Sequence, residues 1–299
     1  VIWEWMLMDY YYFENNTALE DTRRTLDKMA LGGIYDHVDG GFARYSVDKI
    51  WKVPHFEKML YDNGQLLSLY AKAYKIQPSE DYERVLRKTA NFMIEHMAKE
   101  DGYFYAAYDA DSEGIEGKFY IWSVDELRNI LDPTFFETFG EYYSITTSGN
   151  WEHGQNILFA EYFPDEFCQR KKLDPKDFKS NLFKSLEKLK LIREGRVWPG
   201  LDDKSLTSWN ALAIIGLLDT YEALGEEKYL KFAMKAGHFI KDHLQNKNGG
   251  LFRNYHRGKA SIDAFLDDYA LMISACMKLY ENSFDESWLS LADQLTQYC

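Results

Sequence analysis

The chain has 299 residues, of which 46% are hydrophobic and 28% charged, so it can bury a sizeable core and is not a disordered segment. Its 48 acidic residues against 35 basic ones give a formal net charge of −13. This excludes nucleic acid and an anionic membrane surface as main partners, because both need clustered Lys and Arg. No run approaches the roughly 18 consecutive apolar residues of a membrane span. Cys168, Cys276 and Cys299 are odd in number and widely spaced, with no CxxC, so neither a disulfide framework nor a structural zinc site is expected. The start at Val1 has no signal-peptide pattern, and a cytoplasmic location is the expectation.

Helical periodicity dominates the chain. It predicts helices at 2–14, 17–31, 55–76, 80–99, 123–131, 134–142, 175–192, 205–223, 226–245, 263–281 and 285–298. Ser79 is placed to cap the fourth, and Asp174-Pro175 opens the seventh with an N-cap and a proline at the first helical position. Short aromatic stretches flanked by glycine (Phe42–Tyr45, Tyr103–Ala107, Lys118–Trp122, Gly250–Tyr255) read as small hairpins in the connections.

Three segments are self-similar: YDNGQLLSLYAKAY at 61–74, SWNALAIIGLLDTY at 208–221 and DDYALMISACMKLY at 267–280. Aligned, they place Asp62, Trp209 and Asp268 together, and likewise Tyr74, Tyr221 and Tyr280. Each begins an αα-hairpin with a short internal turn, whereas the connections between hairpins are long. Stacked hairpins of this kind close into an α/α toroid, and all the long connections then share one end, where binding and catalytic residues belong.

Most of the polar candidates fall in those connections. In 32–64, Pro54 is expected to start the third helix, with His55 in its first turn and Asp62 on the same face seven residues later. His55 can act as acid or base near neutral pH, and Asp62 can hold a hydroxyl or a catalytic partner. His37, Tyr45, Trp51, Glu57 and Tyr61 surround them as substrate contacts; a capping histidine and a buried Asp are the structural alternative. In 104–122, Asp109, Asp111, Glu113 and Glu116 crowd into eight residues, suited to paired-carboxylate glycoside chemistry or to an acidic turn. Their spacing does not match a calcium loop. Asp203 and Trp209 precede and open the helix at 205–223, as an N-cap or hydroxyl ligand and as a sugar-stacking ring or core residue. Asp267 and Asp268 diverge by about 100° on a helix, and the repeat alignment selects Asp268 as the inward one. No metal or cofactor is expected.

The motifs GGIYDHVDGGFARYSVDKIWKVPHFEKMLYDN, DADSEGIEGKFYIW and DDKSLTSWNALAI resemble, in that order, thioredoxin-domain-containing proteins of the bacterial YyaL and spermatogenesis-associated type, over about Leu26 to Leu279. The resemblance implies an all-α (α/α)6 toroid with small β-hairpins in the long loops. It is similar to the N-acylglucosamine 2-epimerase and six-hairpin glycosidase folds. It also implies a thioredoxin-like domain that this chain lacks, leaving residues 1–299 as one toroid domain, incomplete at both ends. The related epimerases place a histidine pair across a sugar ring, a part open to His55 with His37 or His256.

The expected function is a carbohydrate-active toroid that epimerises or isomerises a sugar or polyol in a central cleft. His55, Asp62, Asp109, Asp111 and Asp268 are its candidate catalytic residues, and His37, Tyr45, Trp51, Glu57, Tyr61, Asp203 and Trp209 its candidate substrate contacts. The rival readings are a non-catalytic module that docks its thioredoxin-like domain or a protein partner, and a glycoside hydrolase with paired carboxylates.

Overall fold

The computed structural model describes residues 2–299. In chain order the helices are α1 (Ile2–Phe13), α2 (Asn16–Leu31), α3 (Leu60–Ile76), α4 (Glu80–Phe92), α5 (Val124–Ile130), α6 (Phe136–Tyr142), α7 (Pro164–Lys171), α8 (Pro175–Glu194), α9 (Thr207–Leu224), α10 (Glu227–His243), α11 (Leu266–Ser283) and α12 (Ser287–Tyr298). The strands are β1 (Lys58–Met59), β2 (Ala107–Tyr108), β3 (Asp111–Ser112), β4 (Ile115–Glu116), β5 (Trp122–Ser123), β6 (Gln155–Asn156), β7 (Leu201–Asp202), β8 (Ser205–Leu206), β9 (Phe252–His256) and β10 (Lys259–Asp263). Among the described residues no helix is long and apolar enough to cross a membrane.

Three departures from the sequence reading have local causes. The third helix starts at Leu60 rather than at 55, because Phe56 adopts φ 54°, a left-handed conformation no helix accommodates. Instead the His55 N–H donates to the Tyr45 carbonyl and the Arg44 N–H to the Glu57 carbonyl. The fourth helix leaves α geometry at Phe92 and finishes as a π turn over Met93–Met97. The helix α7 is an addition to the sequence reading, although Pro164 at its first position and Asp165 and Glu166 behind it are sequence signals.

The chain divides into two compact units. The first comprises residues 1–19, 58–108 and 201–299. It holds α1 and the hairpins α3/α4, α9/α10 and α11/α12, whose internal turns are short: Gly225, left-handed at φ 72°, ends α9, and Phe284 at φ 56° ends α11. Contacts between α3 and α9 join residues 147 to 152 apart all along the helices, from Tyr61–Trp209 near their starts through Gly64–Gly216 and Ser68–Asp219 to Lys75–Glu222 near their ends, so the two run parallel. Those between α9 and α11 join residues 56 to 60 apart, as in Lys278–Glu222 and Ser208–Asp268. The repeat alignment, which sets 61 against 208 and 208 against 267, has offsets of 147 and 59, which fall within these ranges.

Glycine permits the closest approach within this row. A Cβ on Gly216 would lie 2.4 Å from the Gly64 carbonyl oxygen, and one on Gly64 would lie 2.8 Å from Leu212 backbone. At the C-terminal end of the same helices a polar network replaces apolar packing. Buried Asp219 accepts from Ser68 at 2.6 Å and pairs with Lys278 at 2.8 Å. Glu222 accepts from Lys278, Lys75 and Asn282. Burial alone would raise the Glu222 pKa, but these three donors outweigh it and lower it from 4.5 to about 2. Its contribution is therefore complete above pH 4.5 and fades as the pH falls towards 2. With a quarter of the side chain still facing water, we expect ~1–2 kcal/mol to be lost across that window, and Glu222→Gln to flatten a urea-midpoint profile measured over it.

The strands of this unit lead into its helices. The sheet β1-β2-β7 and the sheet β10-β9-β8 are both antiparallel, and β1, β8 and β10 stand immediately before α3, α9 and α11. The β9–β10 hairpin turns through Arg257 and Gly258, both with positive φ (48° and 81°), the mark of a type I′ turn. Arginine is a poor residue for its first position, so Arg257→Asn should stabilise the chain by ~0.5–1 kcal/mol, read as a raised melting temperature.

The second unit comprises residues 20–57 and 109–200. Its core is strongly aromatic, with Phe135, Phe139, Tyr142, Tyr143, Phe167 and Phe178 buried together among α5–α8. Arg193 at the end of α8 reaches Asp36 through two parallel hydrogen bonds of 2.9 and 2.8 Å, both side chains buried. Burial alone would lower the Arg193 pKa, but the paired carboxylate outweighs it and raises it.

Candidate active site

Because α3, α9 and α11 run parallel, their N-termini share one end of the first unit, and the strands leading into them gather there. Tyr61 opens α3 and Trp209 opens α9; their rings meet at 4.8 Å with a 58° tilt, and both stay partly exposed. Asp62, next to Tyr61, is also partly exposed. Asp203 precedes β8 and His256 ends β9; since β8 pairs with β9, the two face one another, and His256 Nε2 lies 2.8 Å from Asp203 Oδ1. About a third of the His256 side chain remains accessible. The frame beneath is rigid. Buried Asn210 donates to the Phe104 carbonyl, the Ser205 hydroxyl and the Leu206 carbonyl, and accepts from the Phe104 N–H.

Asp268 is the inward residue of its pair, as the alignment indicated, but its carboxylate is fully buried and occupied. One oxygen accepts the Ser208 N–H at 3.0 Å; the other accepts the Phe265 N–H at 3.0 Å and an Arg253 hydrogen bond at 2.8 Å. These are first-turn donors of α9 and α11 that have no intrahelical partner. Asp268 thus holds two helix starts and offers no face to a substrate.

The other candidates lie on the second unit. His55 is not on α3, so the expected His55–Asp62 spacing does not exist. Its Nδ1 lies 3.1 Å from Glu116 Oε1, and Tyr45 stacks on its ring at 4.7 Å and 17°. Glu116 belongs to a β3–β4 hairpin in which Asp111 is its cross-strand neighbour, with Glu113 (φ 53°) and Gly114 (φ 74°) making the turn. Asp111 is exposed. Asp109 is exposed too, its Oδ1 accepting the Ala110 N–H. Glu57 pairs with Arg44 at 3.2 Å. His37 is corrected to an interior role: it is buried, and its Nε2 lies 3.2 and 3.1 Å from the carbonyls of Leu31 and Gly32. Trp51, at φ 64°, lines a 400 Å³ cleft with Lys28, Phe159 and Tyr162.

Sequence reasoning had placed Glu116 in the acidic crowd without seeing it as the partner of His55, and it missed Arg253. It also left His256 and Asp203 unconnected. A histidine at a strand end and an aspartate before a helix leave no spacing signal across 53 residues.

Solved structures define the class. A family 76 glycoside hydrolase (mannosidase) of Bacteroides thetaiotaomicron is similar over 100% of this chain and 58% of its own, at 11% identity and a TM-score of 0.54. A family 76 alpha-mannanase of the same organism is similar over 98% of this chain and 59% of its own, at 16% identity and a TM-score of 0.50. At such identities the likeness shows the fold: an α/α toroid with short β-hairpins in its connections. Among proteins of known sequence, the chain is 33% identical to human spermatogenesis-associated protein 20 over 94% of its length, and 34% identical to an uncharacterized Caenorhabditis elegans protein over 93%. It spans 40% and 42% of those relatives, about two fifths of each. No family model matches the chain.

Proposed function

We propose that this toroid binds a sugar or polyol at the N-terminal end of α3, α9 and α11 and moves a proton on it, as an isomerase or epimerase does. The observation that carries the reading is the His256–Asp203 pair, set at the same end of the unit as the Tyr61–Trp209 pair. A carboxylate on Nε2 fixes the tautomer of the ring and leaves Nδ1 as the base. In the reaction, Nδ1 takes the proton from the carbon beside the open-chain carbonyl; the C–H electron pair forms a C=C bond and the carbonyl π pair moves to its oxygen, giving an enediolate. The imidazolium, balanced by Asp203, returns the proton to the former carbonyl carbon as the neighbouring hydroxyl proton passes to the enediolate oxygen, which isomerises the sugar. If the enediolate first turns its other face to the ring, the proton returns to the original carbon with inversion, which epimerises it. Tyr61 and Trp209 offer aromatic faces for the C–H side of the sugar, and Asp62 can accept from a hydroxyl. On the second unit, His55 with Glu116 is another histidine–carboxylate pair, as accessible as the first.

Incubation of the protein with aldoses in D₂O tests this. Solvent deuterium is expected at C2 of at least one sugar, with His256→Asn lowering the exchange rate about 10²-fold or more. Exchange that survives in His256→Asn and vanishes in His55→Asn would move the chemistry to the second unit. No exchange with any sugar would reject proton transfer and favour a non-catalytic role.

A further inference from the structure

The second unit also holds a cleft of about 740 Å³, walled by the β3–β4 hairpin, residues 118–126, the loop 151–155 and residues 195–197. That volume is ordinary for pockets that enclose organic ligands.

The loop that forms one wall is held rigidly. Buried Asn156 accepts the N–H groups of Thr146 and Asn150 through Oδ1, at 3.0 and 3.1 Å. Asn150 donates to the carbonyls of Ser144 and Ile157 and accepts the Ile157 N–H. The chain passes so close to itself that a Cβ on Gly149 would lie 2.5 Å from Gly154 backbone, and His153 sits left-handed at φ 54°. A left-handed non-glycine residue costs energy and persists only where its surroundings impose it. This turn presents Trp151, Glu152 and His153 to the cleft.

The lining combines an aromatic and aliphatic floor (Trp151, Phe119, Ile121) with polar groups at Glu116, Glu152 and Gln155. Trp151 is braced edge-on by Phe56 at 6.0 Å. The two cations of the lining are engaged, Lys118 with Glu113 and Arg196 with Glu126. An anionic ligand would therefore meet carboxylates without an uncommitted cation. An apolar flat face opposite hydrogen-bond acceptors suits a ring with one C–H face and many hydroxyl donors.

We propose that this cleft binds a neutral oligosaccharide of at least two rings, separately from the centre around His256. Trp151 stacks on a sugar face, and Glu152 and Glu116 accept from its hydroxyls.

The test is calorimetric titration of the whole chain with cellobiose, maltose and mannobiose, alongside digalacturonate and spermidine. At least one neutral disaccharide should bind saturably, about tenfold more weakly to Trp151→Ala and to Glu152→Gln, and equally well to His256→Asn. Glu152 is exposed, so Glu152→Gln tests the cleft even where Trp151→Ala destabilises the fold. Four results would overturn the assignment: no neutral sugar binding, binding only of spermidine or digalacturonate, binding indifferent to Glu152→Gln, or binding abolished by His256→Asn. The His256 reading stands or falls separately, on deuterium exchange.

Discussion

Replacing Asp268 by alanine should destabilise the chain by ~3 kcal/mol in urea unfolding. The carboxylate is fully buried and receives three hydrogen bonds, from Ser208 N–H, Phe265 N–H and Arg253. Truncation leaves two helix-start donors buried without an acceptor and removes the partner of a guanidinium. Arg253 keeps some access to water, which places the loss at the lower end of the range for breaking a buried pair. Asp268→Asn retains a neutral acceptor and should recover part of the loss. A catalytic Asp268 would behave oppositely: its alanine variant would melt normally and exchange no deuterium. Measuring both stability and exchange separates the two roles, and the geometry predicts that folded Asp268→Asn retains most of its exchange activity.

Gly216→Ala should cost ~2–3 kcal/mol. In an exposed helix the same change would stabilise by about 1 kcal/mol, because glycine is the poorer helix former. Here the added methyl would sit 2.4 Å from the Gly64 carbonyl oxygen and 3.1 Å from Leu67 Cβ, so α3 and α9 must separate along their contact. Gly64→Ala should act through the same separation, and the double variant should lose less than the sum of the single losses, since helices already apart no longer clash. Thermal melts of the three variants check both sign and coupling. A stabilised Gly216→Ala would mean that the two backbones do not approach as described.

Much of the fold was legible because helices announce themselves locally. Apolar spacing, Ser79 as a cap that accepts the Tyr82 N–H, and Asp174-Pro175 at the start of α8 each act within one turn, and each holds in the structure. The 55–59 segment was misread because Pro54 does begin many helices; the left-handed Phe56 that prevents one here is imposed by its surroundings. Of the candidate residues, Tyr61, Asp62, Asp203 and Trp209 gather at one end of the hairpins of the first unit, while which residues form pairs was illegible. His37 and Asp268 looked like His55 and Asp62 in the sequence. Burial and hydrogen-bond saturation set them apart: His37 meets the nearby Leu31 and Gly32 carbonyls, whereas Asp268 is filled by Phe265, by Arg253 and by Ser208, sixty residues away.

The sequence by itself determined the helical hairpins, the parallel run of α3, α9 and α11, and a net charge of −13. Register is encoded because each repeat packs its neighbour through the same positions, so alignment offsets of 147 and 59 reappear as the Lys75–Glu222 and Lys278–Asp219 contacts. Only the tertiary structure decided which histidines meet carboxylates: His256 with Asp203 across 53 residues, and His55 with Glu116 across 61. Those partners are set by how irregular loops cross, and a loop crossing leaves no period in the chain.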